Sequence, residues 1–237
     1  MSPQRAPQAS GPAAQSHTGR PAVSPRYPGY DVLAKRDSPS WNAQTRRVID
    51  QRLAVGPDTH HFFCDEEWPT VRAVCDRVIP QAQDKQGRVP IAALLDEQLR
   101  RSPTEGYRDA RLPPMTEAWK QALRALDVES LNSHGHRFHQ LDAVRQDALL
   151  RRVQLGDVHD AAWEGLPAKI FFEDRVLHDI TRLYYGHPTA WNEIGFGGPA
   201  APRGYVRMDF DRRDPWEASE ARPGREEQAR KENARVG

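Results

Sequence analysis

The sequence predicts an all-α protein, an irregular helical bundle with an extended N-terminal leader and a C-terminal strap. Three observations carry this. Apolar residues recur at spacings of three and four through the middle of the chain. Prolines, acidic caps and glycines punctuate those runs where helices start and stop. No run alternates apolar and polar residues between turn signals, as a half-buried strand would.

The chain has 237 residues, 38% hydrophobic and 28% charged, with a formal net charge of +1. That is enough for one substantial core. The near-neutral balance supplies no electrostatic footprint for nucleic acid or an anionic membrane. A mean hydropathy of −0.81 is low for a compact domain and places the folded part in the middle of the chain. No stretch approaches the roughly 20 apolar residues of a membrane-spanning helix. The first 25 residues hold no apolar run of a secretory signal, and charges follow Arg46-Arg47, so the expected location is cytoplasmic, or periplasmic through export with a partner. Cys64 and Cys75 read as buried small hydrophobes. On one helix they would stand ~16 Å apart, too far for a bridge.

In order, residues 1–26 are rich in Pro, Ser, Gln and Ala and read as a disordered leader. Residues 27–60 form an arm: an aromatic turn, Tyr27-Pro28-Gly29-Tyr30, then a short helix capped at Ser38-Pro39 that buries Trp41, Val48 and Leu53. The main domain spans 61–205. Its first helix is capped at Cys64 or Asp65, carries Trp68, Val71, Val74, Cys75, Val78 and Ile79, and stops at Pro80. Pro90 opens a second with Ile91, Leu94, Leu95 and Leu99 on one face. A third carries Met115, Ala118, Trp119, Ala122, Leu123 and Leu126, and a separate weaker helix runs from Val128 to His134, ended by Gly135. Asp142 caps a helix burying Ala148, Leu149 and Val153, with Gly156 after it. The longest and most central helix is expected over Pro167–Tyr185. Residues 206–237 read as an extended strap that frays from Ala218 onward.

Tyr184–Tyr205 is the most distinctive stretch. Trp191, Phe196 and Tyr205 need burial, and Gly195, Gly197, Gly198 and Gly204 accept backbone angles closed to other residues. It reads as a poor helix and a poor strand, held by packing: either a structured loop over its own core or a surface that docks on another protein. Its spacing is not that of a dinucleotide fingerprint, and the chain holds no Walker-type phosphate loop. His134, His136 and His139 form H-x-H-x-x-H at a helix end, without an acidic residue at metal-site spacing. Asp174 and His178 share a helix face at i, i+4 and could pair as orienter and base, but no nucleophile stands in a recognisable turn. A hydrolase or metal-dependent enzyme built on these histidines, and a helical scaffold unrelated to redox chemistry, are the alternatives to the reading that follows.

The order of motifs is distinctive: Phe62-Phe63, Glu67-Trp68, Val71-x-x-Val74, Arg77-Val78-Ile79-Pro80, then Phe171-Phe172, Tyr184-Tyr185, Pro188, Trp191, Ile194-Gly195-Phe196 and Gly198-Pro199. Over residues 62–205 the chain resembles the bacterial gluconate 2-dehydrogenase subunit 3 family, the small subunit of flavin-dependent sugar and alcohol dehydrogenases. The resemblance implies an all-α accessory subunit with no catalytic, cofactor or metal residues of its own. It implies a large partner of the glucose-methanol-choline type that carries FAD, and a multihaem cytochrome c subunit that commonly takes the electrons onward. The partner interface is then expected at Trp191, Ile194, Phe196, Gly197, Gly198, Pro199, Arg203, Tyr205, Phe210 and Trp216. Many members carry a twin-arginine signal and a Gly-Gly-Asn insertion between the proline and the tryptophan. Here Pro188 and Trp191 are three apart, a departure that leaves the substrate open.

Overall fold

A computed structural model describes residues 25–82, 87–101, 109–201, 204 and 216–236. The fold is all-α, and among these residues there is no strand, only an isolated parallel bridge between Trp41 and Ala201. No described helix is long and apolar enough to cross a membrane.

Two helices enter the main bundle first. In α2 (Trp68–Val78) Glu67 occupies the N-cap and Pro69 the first turn. The helix starts later than Cys64 or Asp65, because residues 64–67 form a turn of their own: Trp68 N–H donates to Cys64 O at 3.0 Å, and Cys64 N–H to Glu67 Oε2 at 3.1 Å. Cys64 is therefore exposed, against the expectation of burial, while Cys75 is buried and its thiol pKa pushed well up by desolvation. In α3 (Ile91–Arg101), Ile91, Leu94, Leu95 and Leu99 are buried as the spacing predicts. So is Asp96, whose carboxylate accepts the N–H groups of His61, Phe62 and Phe63 at 2.7–2.8 Å and fixes the chain's entry into the bundle.

The longest helix is α4 (Met115–His134), 20 residues without a break. No glycine or proline separates Asp127 from Val128, so the expected second helix is simply its continuation. Gly135, at φ +71°, ends it in the left-handed conformation. In α5 (Ala143–Leu155) the Asp142 side chain accepts from Arg145 N–H, and Gly156 closes the helix. Leu149, Leu150, Val153 and Gln146 fill its buried face, and Ala148 points outward. After the short α6 (Asp160–Trp163), α7 (Ala168–Phe171) runs through a π segment, Phe172–Leu177, into α8 (His178–Tyr185). The wider turn lets Phe171, Phe172, Arg175 and Val176 all be buried on one helix. Burying an aromatic such as Phe171 contributes about 2–3 kcal/mol.

Helices α2–α8 surround one core, with Trp119 at its centre stacked edge-on against Phe171 at 5.3 Å. Trp119 Nε1–H donates to Asp179 Oδ2 at 2.9 Å, and Asp179 pairs with Arg175 at 3.8 Å. A second, smaller core gathers Tyr30, Val32, Trp41, Ile49, Trp191 and Val236. It is built from both ends of the chain. The N-terminal contribution is a 3-10 turn, Val32–Lys35, and α1 (Ala43–Leu53). Asn42, not Ser38, caps α1, because its side chain reaches Thr45 N–H, and Ile49 rather than Leu53 is its buried anchor. The C-terminal contribution is Val236, which follows α10 (Glu226–Asn233). The sequence reads as frayed there because α10 is polar on nearly every side, yet Ala229 and Asn233 are buried. Residues 1–24 of the expected leader and 206–215 of the expected strap lie outside the described residues.

Candidate docking surface

The glycine-rich stretch is partly helical. Pro188–Ile194 forms α9, with His187 at the N-cap, Pro188 in the first turn and Gly195 left-handed at φ +68° after it. The proline-first, glycine-last arrangement that ends other helices operates here too. Phe196 N–H returns to Trp191 O at 2.9 Å, which turns the chain sharply, and the Phe196 ring packs edge-on against Trp191 at 5.8 Å. Trp191 is 3% exposed, and its Nε1–H donates to Tyr185 O at 2.6 Å. Gly198, at φ +66°, lies under the same indole, where a Cβ would come within 3.3 Å of the ring and 2.9 Å of Val32.

Beside this turn the surface carries large apolar side chains: Tyr185, Ile194 (46% exposed) and Phe196 (40% exposed). Of the expected interface, then, Ile194 and Phe196 are exposed. Gly197, Pro199 and Trp216 are half-buried, and Trp191 and Gly198 are buried beneath the chain's own segments. Arg203, Tyr205 and Phe210 lie outside the described residues. Other residues here carried no signal in the sequence. Lys35 is fully buried and donates from Nζ to Gly197 O, and Asn192 Oδ1 accepts Val32 N–H at 2.8 Å. Only the aromatic turn at Tyr27–Tyr30 hinted that an arm would dock.

The base of α9 is electrostatically set. Arg52 of α1 donates from a terminal nitrogen to Gly186 O at 2.6 Å, and His187 accepts Thr189 N–H on Nδ1 at 3.3 Å. Burial first, and Arg52 second, push the His187 pKa down to about 4. A folded-state value below the unfolded one gives stability that is fully present above pH 6.5 and is lost as pH falls toward 4. Acidification across that window is expected to cost up to about 3 kcal/mol, since each pKa unit is worth about 1.4 kcal/mol. Protonation of Nδ1 also removes the acceptor that caps α9. Chemical denaturation at stepped pH measures the loss. His187→Asn, which keeps an acceptor but cannot titrate, should flatten the profile in that window, and an unchanged slope would remove His187 as its source.

The other candidate residues are not brought together. His134 and His136 are exposed, while His139 Nδ1 faces Thr70 Oγ1 at 3.3 Å. Among the described residues no group of three or more His, Cys, Asp or Glu is placed to hold a metal ion. Asp174, within the π segment, makes no hydrogen bond or ion pair with His178. The His178 ring lies instead 3.3 Å from Asp179, which is already engaged by Trp119 and Arg175.

A family model described as gluconate 2-dehydrogenase subunit 3 matches residues 65–198, from the turn before α2 to the glycine beneath Trp191. No curated protein and no solved structure matches the chain. Both terminal segments that build the second core lie outside the matched range.

Proposed function

The chain belongs to the gluconate 2-dehydrogenase subunit 3 family, and from that premise we propose that it is the accessory subunit that binds and stabilises a large, FAD-carrying subunit of the glucose-methanol-choline type. Membership makes it a small subunit of a gluconate 2-dehydrogenase complex, associated with the other subunits of that complex. The family match is the observation that carries the reading. The apolar rim of Tyr185, Ile194 and Phe196 at the end of the matched range supports it, since large exposed side chains grouped around one short helix suit a protein partner.

On this reading the oxidation of a sugar or alcohol, and the flavin that accepts the electrons, reside in the large subunit, with haem c in a third. The present chain contributes binding free energy. A subunit that binds only the folded partner stabilises it by about 2.7 kcal/mol at a concentration a hundred times Kd. The tagged chain, purified from cells that make the complex, is expected to carry a larger FAD-bearing protein with it. Recovery of the chain alone would contradict the proposal.

A further inference from the structure

The second core is assembled by two segments far apart in the sequence. The N-terminal arm, residues 25–36, lays Tyr27 against Gly195, where a Cβ would fall 2.6 Å from the ring. Tyr30 Oη donates to Trp216 O at 3.2 Å and reaches Phe196 O at 3.5 Å. The C-terminal segment, residues 216–236, closes from the other side. Its Val236 enters the small core, and Trp216 lies over Gly197. The two segments also hold each other. Buried Asn233 accepts Ser219 N–H on Oδ1 at 2.6 Å and donates through Nδ2 to Pro28 O at 3.0 Å and Ser219 O at 2.9 Å. Ala221 N–H donates to Arg26 O at 2.8 Å, and Arg26 pairs with Glu220 at 2.7 Å.

We propose that these two segments form one clasp, which opens as a unit ahead of the helical core and so gates access to Trp191 and the Gly195–Gly198 turn. Three observations carry this. The clasp packs on a small apolar core that it shares with Trp41, Ile49 and Trp191 and that is separate from the large one, and local opening free energy follows the apolar contact a segment buries. It also carries polar costs that so small a core offsets poorly. The Lys35 ammonium is withdrawn from water, and the buried Trp41 Nε1–H meets no acceptor among the described residues. Finally, Asn233 bonds to both segments, so neither can leave without breaking the other's contacts. What enters when the clasp opens is the partner subunit, and that clause alone rests on the proposed function.

Native-state hydrogen exchange on the full chain tests the clasp without any partner. The amides of Tyr30, Val32, Ser219 and Ala221 are expected to exchange as one group, faster than those in the middle of α4. Asn233→Ala, made in the C-terminal segment, should speed exchange at Tyr30 and Val32 about tenfold, the equivalent of about one lost hydrogen bond, with α4 unchanged. Tyr30→Phe should act reciprocally on Ser219 and Ala221. Acceleration confined to the mutated segment, or spread equally into α4, would overturn the proposal, as would failure of Asn233→Ala to fold. None of these outcomes bears on whether the chain binds a flavoprotein, and failure to capture that partner leaves the exchange result standing.

Discussion

Replacing Ile194 by Lys and Phe196 by Ser together is expected to weaken binding to the flavoprotein subunit by at least about a hundredfold. Apolar anchors at the centre of an interface each contribute about 2 kcal/mol or more, and a lysine at position 194 must also be desolvated on docking. The two residues suit the test because they are 46% and 40% exposed, so the free chain loses little core. Lys at 194 also lies at the C-terminal end of α9, where a cation is compatible with the helix dipole. Val144→Lys, at a position 78% exposed on α5, should leave affinity unchanged. Titration of the purified large subunit with each variant, followed by calorimetry, reads the difference. Equal affinity for the double variant and the unmodified chain would move the interface away from α9.

Asp179→Ala is expected to destabilise the chain by about 3–5 kcal/mol, the typical cost of leaving one partner of a buried ion pair uncompensated. Asp179 is fully buried, accepts from Trp119 at 2.9 Å and neighbours Arg175 at 3.8 Å, itself almost wholly buried. At about 2–4 °C per kcal/mol for a domain of this size, the melting temperature should fall by roughly 10 °C. Asp179→Asn, which keeps an acceptor for Trp119, should lose less. A fall of only a degree or two for the alanine variant would show that the polar network in the π segment does not hold α4 against α7 and α8.

Where burial follows local spacing, the sequence was enough. The apolar stripes of α2, α3, α4 and α5 lie at three- and four-residue intervals, Asp142 starts α5, and Gly135 and Gly156 end helices as their chemistry dictates. Where burial depends on distant residues, it was not. Lys35, Asp96 and Asn233 are buried because Gly197, the Phe62–Phe63 backbone and the Pro28–Ser219 pair lie against them, which no local pattern records. Helix α10 has too few apolar residues to reveal a buried side, and the π segment keeps a helical periodicity while shifting its register. The candidate surface was half legible. Ile194 and Phe196 stand out as apolar residues beside glycines, but the covering of Trp191 by the two ends of the chain follows only from the tertiary structure.

Binding and stabilisation of a flavoprotein is the role proposed for this chain. Its most direct test is the thermal unfolding of the purified large subunit, followed by release of its FAD, with and without a saturating amount of this chain. The transition is expected to shift upward, by more as the concentration of the chain rises, and the shift is expected to be lost with the Ile194→Lys, Phe196→Ser variant. A transition that does not move at any concentration of the chain would contradict that role.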